Sequence, residues 1–375
     1  MGYEGSVTPA PEVVFQNFNY RTQPNLPNSR ECRKPPDNGA LDTLAKQIGG
    51  RLREAGGQST PKYTHLLFMV MGWNTDQAES VRNFNQLATN ILRTNKGDER
   101  FRPLLIGVSW PSMWKLGSWW FLPDAAVSSS SFWAKKDQAD QLGRRILAPL
   151  LIKAVLQARS ETRTNIPVVM IGHSFGARAL SAMFRPWQSV FRDITPWDWD
   201  SCYEPEPSEA WSFTSADRLV LLQGAVDIAD VLGKESLLPS LLRPGSLTAT
   251  MTASQFDSAV PTAFWANYIG NIETFRRACG PGAPASSEYD ISSISCGEAV
   301  GSQKCLNDAD EIAIDPNRVR DRRTIYYQNA SRLINCRTPF GGGGAHSDVF
   351  RAETGIFLWN EIHAPSRPVM SESGT

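Results

Sequence analysis

Val168-Val169-Met170-Ile171-Gly172-His173-Ser174-Phe175-Gly176-Ala177-Arg178-Ala179-Leu180-Ser181-Ala182 is the stretch on which the architecture turns. Its first four residues are an unbroken apolar run, as expected of a strand buried on both faces, and the small residues from Gly176 onward open a helix. Between them Gly172-His173-Ser174-Phe175-Gly176 must carry the chain from strand to helix within a few residues. So sharp a turn strains the serine backbone and favours residues without side chains two positions before and after it. The hydroxyl of Ser174 then projects above the sheet edge, at a helix N-terminus whose dipole favours a developing negative charge. A G-x-S-x-G pentapeptide alone is a weak signal, because Gly and Ser are common. The strand before it and the helix after it give it weight.

Working outward, the same alternation recurs. Thr64-His65-Leu66-Leu67-Phe68-Met69-Val70-Met71 reads as a strand ending at Gly72, and Val81, Phe84, Leu87 and Ile91 recur at helical spacing after Asp76. Leu104–Val108 is a second strand, followed by a long helix from about Ala134 to Arg159. Further strands are expected at Leu219–Leu222 and Leu247–Thr252. Strands alternating with helices predict an α/β fold with a mostly parallel central sheet, helices on both faces. Residues 1–60 read as an irregular N-terminal arm with a short helical pattern near Leu41 to Leu52. Residues 61–365 read as one domain, interrupted by cap-like insertions at about 185–217 and 279–321. Residues 366–375 read as a flexible tail.

The 375 residues suffice for one large α/β core with insertions. Hydrophobic residues make up 41% and charged ones 20%, with 38 basic and 38 acidic side chains, which is globular and electrically balanced. Zero net charge argues against nucleic acid as a partner, since phosphate affinity comes largely from clustered Lys and Arg. No apolar run reaches the roughly twenty residues needed to span a bilayer. The six cysteines (Cys32, Cys202, Cys279, Cys296, Cys305 and Cys336) form neither a C-x-x-C pair nor a Cys/His zinc pattern, so no metal is expected. Without an export signal in the chain the default compartment is the cytoplasm; cysteine pairing would point instead to an oxidising one.

With the elbow in place, the chain resembles the α/β-hydrolase superfamily over roughly Tyr63 to Phe357, insertions excepted. Met71-Gly72-Trp73-Asn74 resembles the H-G-F-N motif of a bacterial branch, with Met71 in place of the histidine, and Trp110-Pro111-Ser112 resembles its W-P-S segment. The resemblance implies a Ser-His-Asp triad with Ser174 as nucleophile. It also implies an oxyanion hole made by the Phe175 amide and one from the loop after the first strand, for which Trp73 is the candidate. Neither metal nor organic cofactor is implied.

Base and acid can be sought among few residues. Of the four histidines, His173 lies inside the elbow and should point into the core, and His65 begins a strand at the wrong edge. His346 and His363 remain. The order of the family and the H-x-D context favour His346, on a loop after Gly341 to Gly344, over His363 in the C-terminal tail. For the acid, Asp227 and Asp257 each follow a strand. The S-x-x-D-x-A setting common in relatives favours Asp257, with Asp227 kept as the alternative acid; if Asp257 is the acid, Asp227 is structural or supports the site from behind.

Aromatic residues bear on the substrate. Trp114, Trp119, Trp120, Phe121, Phe132 and Trp133 crowd one connection, and Trp187, Trp197, Trp199 and Trp211 crowd the insertion after the elbow helix. Trp suits boundaries that are apolar on one side and wet on the other. The expected substrate is therefore a hydrophobic or lipid-like carboxylic ester, with peripheral contact to a lipid surface. Thioester, peptide or acyl-transfer chemistry on the same triad, and a catalytically silent binding module on the same fold, remain open at this stage.

Overall fold

The computed structural model describes residues 38–56, 60–72, 77–95, 100–110, 135–162, 166–184, 213–214, 216–227, 230–231, 247–254, 256–257, 268–270, 294–295, 325–331, 333–334, 346 and 348–364. In chain order the elements are α1 (Asn38–Arg53), β1 (His65–Val70), α2 (Gln77–Thr94), β2 (Pro103–Val108) and the helical span α3 over 135–162. Then come β3 (Val168–His173), α4 (Phe175–Ala182), β4 (Arg218–Leu222), β5 (Thr248–Ala253), β6 (Ile294–Ser295), β7 (Ile325–Asn329) and α5 (Ala352–His363). The protein is α/β. These seven strands form the main sheet in the order β2-β1-β3-β4-β5-β7-β6, with every pairing parallel, and outside it Ala55–Gly56 pairs antiparallel with Thr60–Pro61.

Parallel strands need crossovers, and the crossovers cover both faces of this sheet. Because successive side chains point to opposite faces, each central strand feeds two cores. Leu66, Phe68, Val70, Val168, Met170, Leu219 and Leu221 meet α1, α3 and α4 on one side. Leu67, Met69, Val169, Ile171, Val220 and Leu222 meet α2 and α5 on the other. Each fully buried side chain of this kind stabilises the fold by about 1.5–3 kcal/mol. The helical pattern at Leu41 to Leu52 is a full helix that buries Leu41, Ala45, Ile48 and Leu52 in the first of these cores. Residues 38–53 are thus built into the body, while residues 1–37 of the expected arm, most of both expected insertions and the expected 366–375 tail lie outside the described residues.

Two buried polar hubs tie layers together. Asp217, fully buried, accepts both contacts of Arg159 (2.7 and 2.9 Å) and the backbone N–H of Val168 and Thr214, joining α3, the start of β3 and the approach to β4. Arg218 donates to the Glu361 and Ala364 carbonyls, capping the C-terminal end of α5, where a cation is also favoured by the dipole. His363, expected in a tail, instead ends α5 and stacks on Trp359 at 3.9 Å.

The strand order sets the position of the site. β2 lies on one side of β1, while β3 and the strands after it lie on the other. Connections therefore diverge between the carboxyl ends of β1 and β3, and this is where open α/β sheets leave a crevice for a ligand.

Candidate active site

Ser174 follows β3 at that divergence, with φ 55° and ψ −121°, a conformation L-residues rarely adopt. Among the described residues, Ser174 and Gln223 are the two non-glycine positions at positive φ. The Ser174 turn is braced by its neighbours: its N–H donates to the Leu222 carbonyl (3.0 Å), and its carbonyl accepts from Ala225 (3.1 Å) and Arg178 (3.2 Å). Its hydroxyl makes no capping bond to α4, unlike most serines at a helix start.

The two elbow glycines are required by close approach. A Cβ on Gly172 would lie 2.6 Å from the Ala177 Cα and N, and one on Gly176 would lie 2.0 Å from the Val70 carbonyl oxygen. The second contact lets α4 start directly against the end of β1. The loop after β1 reaches Ser174 in turn, since a Cβ on Gly72 would lie 2.7 Å from the Ser174 Cβ. Trp110 donates its indole N–H to the Met71 carbonyl at 2.9 Å, so the two short motifs of the sequence meet beside the elbow. Trp73 lies outside the described residues. So do all of the tryptophans and phenylalanines of the two aromatic clusters, and all six cysteines.

Asp257 and His346 are brought together. His346 Nδ1 stands 2.8 Å from Asp257 Oδ2, and the carboxylate can only accept, so Nδ1 carries the hydrogen and Nε2 is left as the basic nitrogen. Asp257 is 6% exposed. Its S-x-x-D setting is a turn in which the Asp257 N–H donates to the Ser254 carbonyl, and the Ser254 hydroxyl ties that turn to Ile334. His346 lies with its ring 4.7 Å from that of His173, the residue next to Ser174. Ser174, Asp257 and His346 thus share one edge of the sheet.

Asp227 is committed elsewhere. It is paired with Arg178 and Lys136, each at 3.1 Å, and Arg178 also contacts Asp140 at 2.6 Å and Asp230 at 3.5 Å. Burial alone would raise the Asp227 carboxyl, yet Arg178 and Lys136 hold it below its ordinary value. Burial likewise opposes the Arg178 charge, and the carboxylates of Asp140, Asp230 and Asp227 outweigh it. The cluster locks α4 to α3 and to the chain after β4. His363 is remote from the elbow, packed near His65 and Phe101 at the amino ends of the strands.

Two side chains here were not anticipated in these roles. His173 is buried as expected, but its Nε2 contacts the His346 carbonyl at 2.9 Å. Burial, with His346 beside it, pushes its imidazole down to about 3. It is therefore neutral, and Nε2–H donates to the His346 carbonyl. Gln223 donates Nε2–H to Asp257 Oδ2 at 2.9 Å. A polar residue directly after the apolar run of β4, at the edge that carries the elbow, was the available signal. Among the described residues no group of three or more His, Cys, Asp or Glu side chains could hold a metal ion. No protein-family model matches the chain, and no curated protein matches its sequence.

Proposed function

We propose that the protein is a serine hydrolase with an α/β-hydrolase fold that cleaves carboxylic esters of hydrophobic, lipid-like acids. The observation that carries the reading is the strained Ser174 at the divergence of the sheet, sharing its edge with a hydrogen-bonded Asp257–His346 pair. The crossover pattern and the elbow between β3 and α4 support the fold assignment.

In this mechanism His346 Nε2 takes the Ser174 proton as Oγ bonds to the acyl carbon. Asp257 holds the imidazole by Nδ1 and offsets the cation that forms. The carbonyl π electrons move onto oxygen, where the Phe175 amide at the α4 N-terminus and the Trp73 amide would stabilise them. Collapse expels the alcohol, which takes the proton from His346 and leaves an acyl-enzyme. Water then repeats the cycle with His346 as base, releasing the acid and restoring Ser174.

A fluorophosphonate probe and an ester series test the reading together. Covalent labelling is expected in the wild type and absent in Ser174→Ala, whose kcat should fall by at least about 10⁴-fold while its fold is retained. An unlabelled, inactive wild type would point to a silent binding fold. On p-nitrophenyl esters, kcat/KM should rise from acetyl to octanoyl. A steady fall from acetyl, with no gain on vesicles, would remove the lipid assignment, and faster thioester or amide cleavage would move the substrate class.

A further inference from the structure

Gln223 is held as few surface-edge glutamines are. It is fully buried and sits at φ 46° in the residue following β4. Its side-chain orientation follows from its partners. The Gln223 N–H donates to Thr252 Oγ1 at 3.1 Å, and that hydroxyl in turn donates to Gln223 Oε1 at 3.1 Å. With Oε1 fixed on Thr252, the amide must present Nε2–H to Asp257, whose Oδ2 also accepts from His346. The Gln223 backbone is straddled by the two bonds that brace Ser174, one to Leu222 and one from Ala225. Backbone strain in a well-packed molecule persists where surroundings over-determine it, and it gathers at functional sites.

We propose that Gln223 is a positioning residue for the proton transfer: it fixes the Asp257 carboxylate through the oxygen that His346 uses, and couples it to the turn that holds Ser174. This inference rests on the triad reading above. Gln223 touches neither substrate nor the reacting atoms, so it acts through the aim of the acid and hence of the imidazole.

Two near-isosteric replacements separate positioning from packing. Gln223→Met keeps the volume and deletes the donor. Hydrolysis of p-nitrophenyl butyrate should lose about 10- to 100-fold in kcat with KM within about threefold, as for other groups that orient a reactive side chain. Gln223→Glu is informative through pH. When protonated, the introduced carboxyl can donate to Asp257 as the amide does; when ionised, it places a second negative charge against it. Its activity relative to wild type should therefore stand within a few-fold at pH 5.5 and fall by about tenfold or more toward pH 9. A relative activity that is the same at every pH, or a Gln223→Met enzyme within threefold of wild type in kcat, overturns the proposal. Should Gln223→Met not fold, the Gln223→Glu ratio decides alone. Ser174→Ala and wild-type fluorophosphonate labelling run alongside. If those fail, the triad reading fails; if they behave as expected and the Gln223 variants do not, only this inference falls.

Discussion

Asp227 and Asp257 are both aspartates near the carboxyl ends of adjacent strands, and their surroundings give them different work. Asp227 meets two cations and Asp257 meets an imidazole and an amide. Asp257→Asn should lower kcat by about 10⁴-fold, because the new amide would favour the wrong His346 tautomer. Asp227→Asn should retain most activity and lose stability instead, on the order of 3 kcal/mol, as Arg178 loses part of its buried pairing. Activity and melting measurements on the two variants check this, and the opposite ranking would exchange the roles. The residues proposed as a triad were legible because each carries a signal of its own: an elbow, a scarce residue type, a turn motif. Gln223 and the His173 contact were not, since their role lies in which partner they meet across 34 and 173 residues of chain.

At the scale of elements, α4 works only because it begins against β1. The Gly176→Ala side chain would meet the Val70 carbonyl at 2.0 Å, a backbone atom that cannot swing aside. The helix start would have to withdraw, carrying the Phe175 amide and the Ser174 turn with it. The expected result is a loss of about 1–3 kcal/mol in stability and a loss of turnover larger than that accounts for, read by chemical denaturation and by kinetics on the folded fraction. β1, β3 and β4 could be read from sequence because strands covered on both faces are near-continuous apolar runs, whereas β5, Thr248-Ala249-Thr250-Met251-Thr252-Ala253, is buried throughout although half of it is threonine. β7, Ile325-Tyr326-Tyr327-Gln328-Asn329, carries polar residues and follows a charged stretch, so nothing in its pattern announces a strand; its place is set by pairing with β5. The Lys136 and Asp140 contacts were hidden differently. Four residues apart on α3, they share one face, yet that face reads as solvated until Arg178 and Asp227 are brought against it.

Across the whole molecule, two imidazoles are kept neutral by burial at opposite ends of the sheet. Burial, with His363 nearby, pushes His65 down to about 4, and His173 lies near 3. Their folded values are depressed below the roughly 6.5 of an unfolded chain. As pH falls below that, the unfolded state takes up protons that the folded state refuses, so the stabilising contribution is complete above about 6.5 and is lost toward about 4. The melting temperature should drop across this window. His65→Gln should flatten the drop while leaving ester turnover at pH 8 unchanged, because His65 lies at the amino edge of the sheet, away from the elbow. An equally steep drop in the variant would exclude His65 as a source.

The second core joins α2 to α5, and Asn90 donates to the Phe350 carbonyl across 260 residues. No strand of the main sheet can pair by a hairpin, and the face under α2 stays uncovered until residues 348–363 have left the ribosome. Assembly is therefore a late, long-range event, with the slow closure and exposed apolar surface that such contacts entail. His346 lies just ahead of that closing segment. During synthesis the Ser174 turn can be in place well before His346 arrives, so on the proposed mechanism a nascent chain would stay inert until α5 docks.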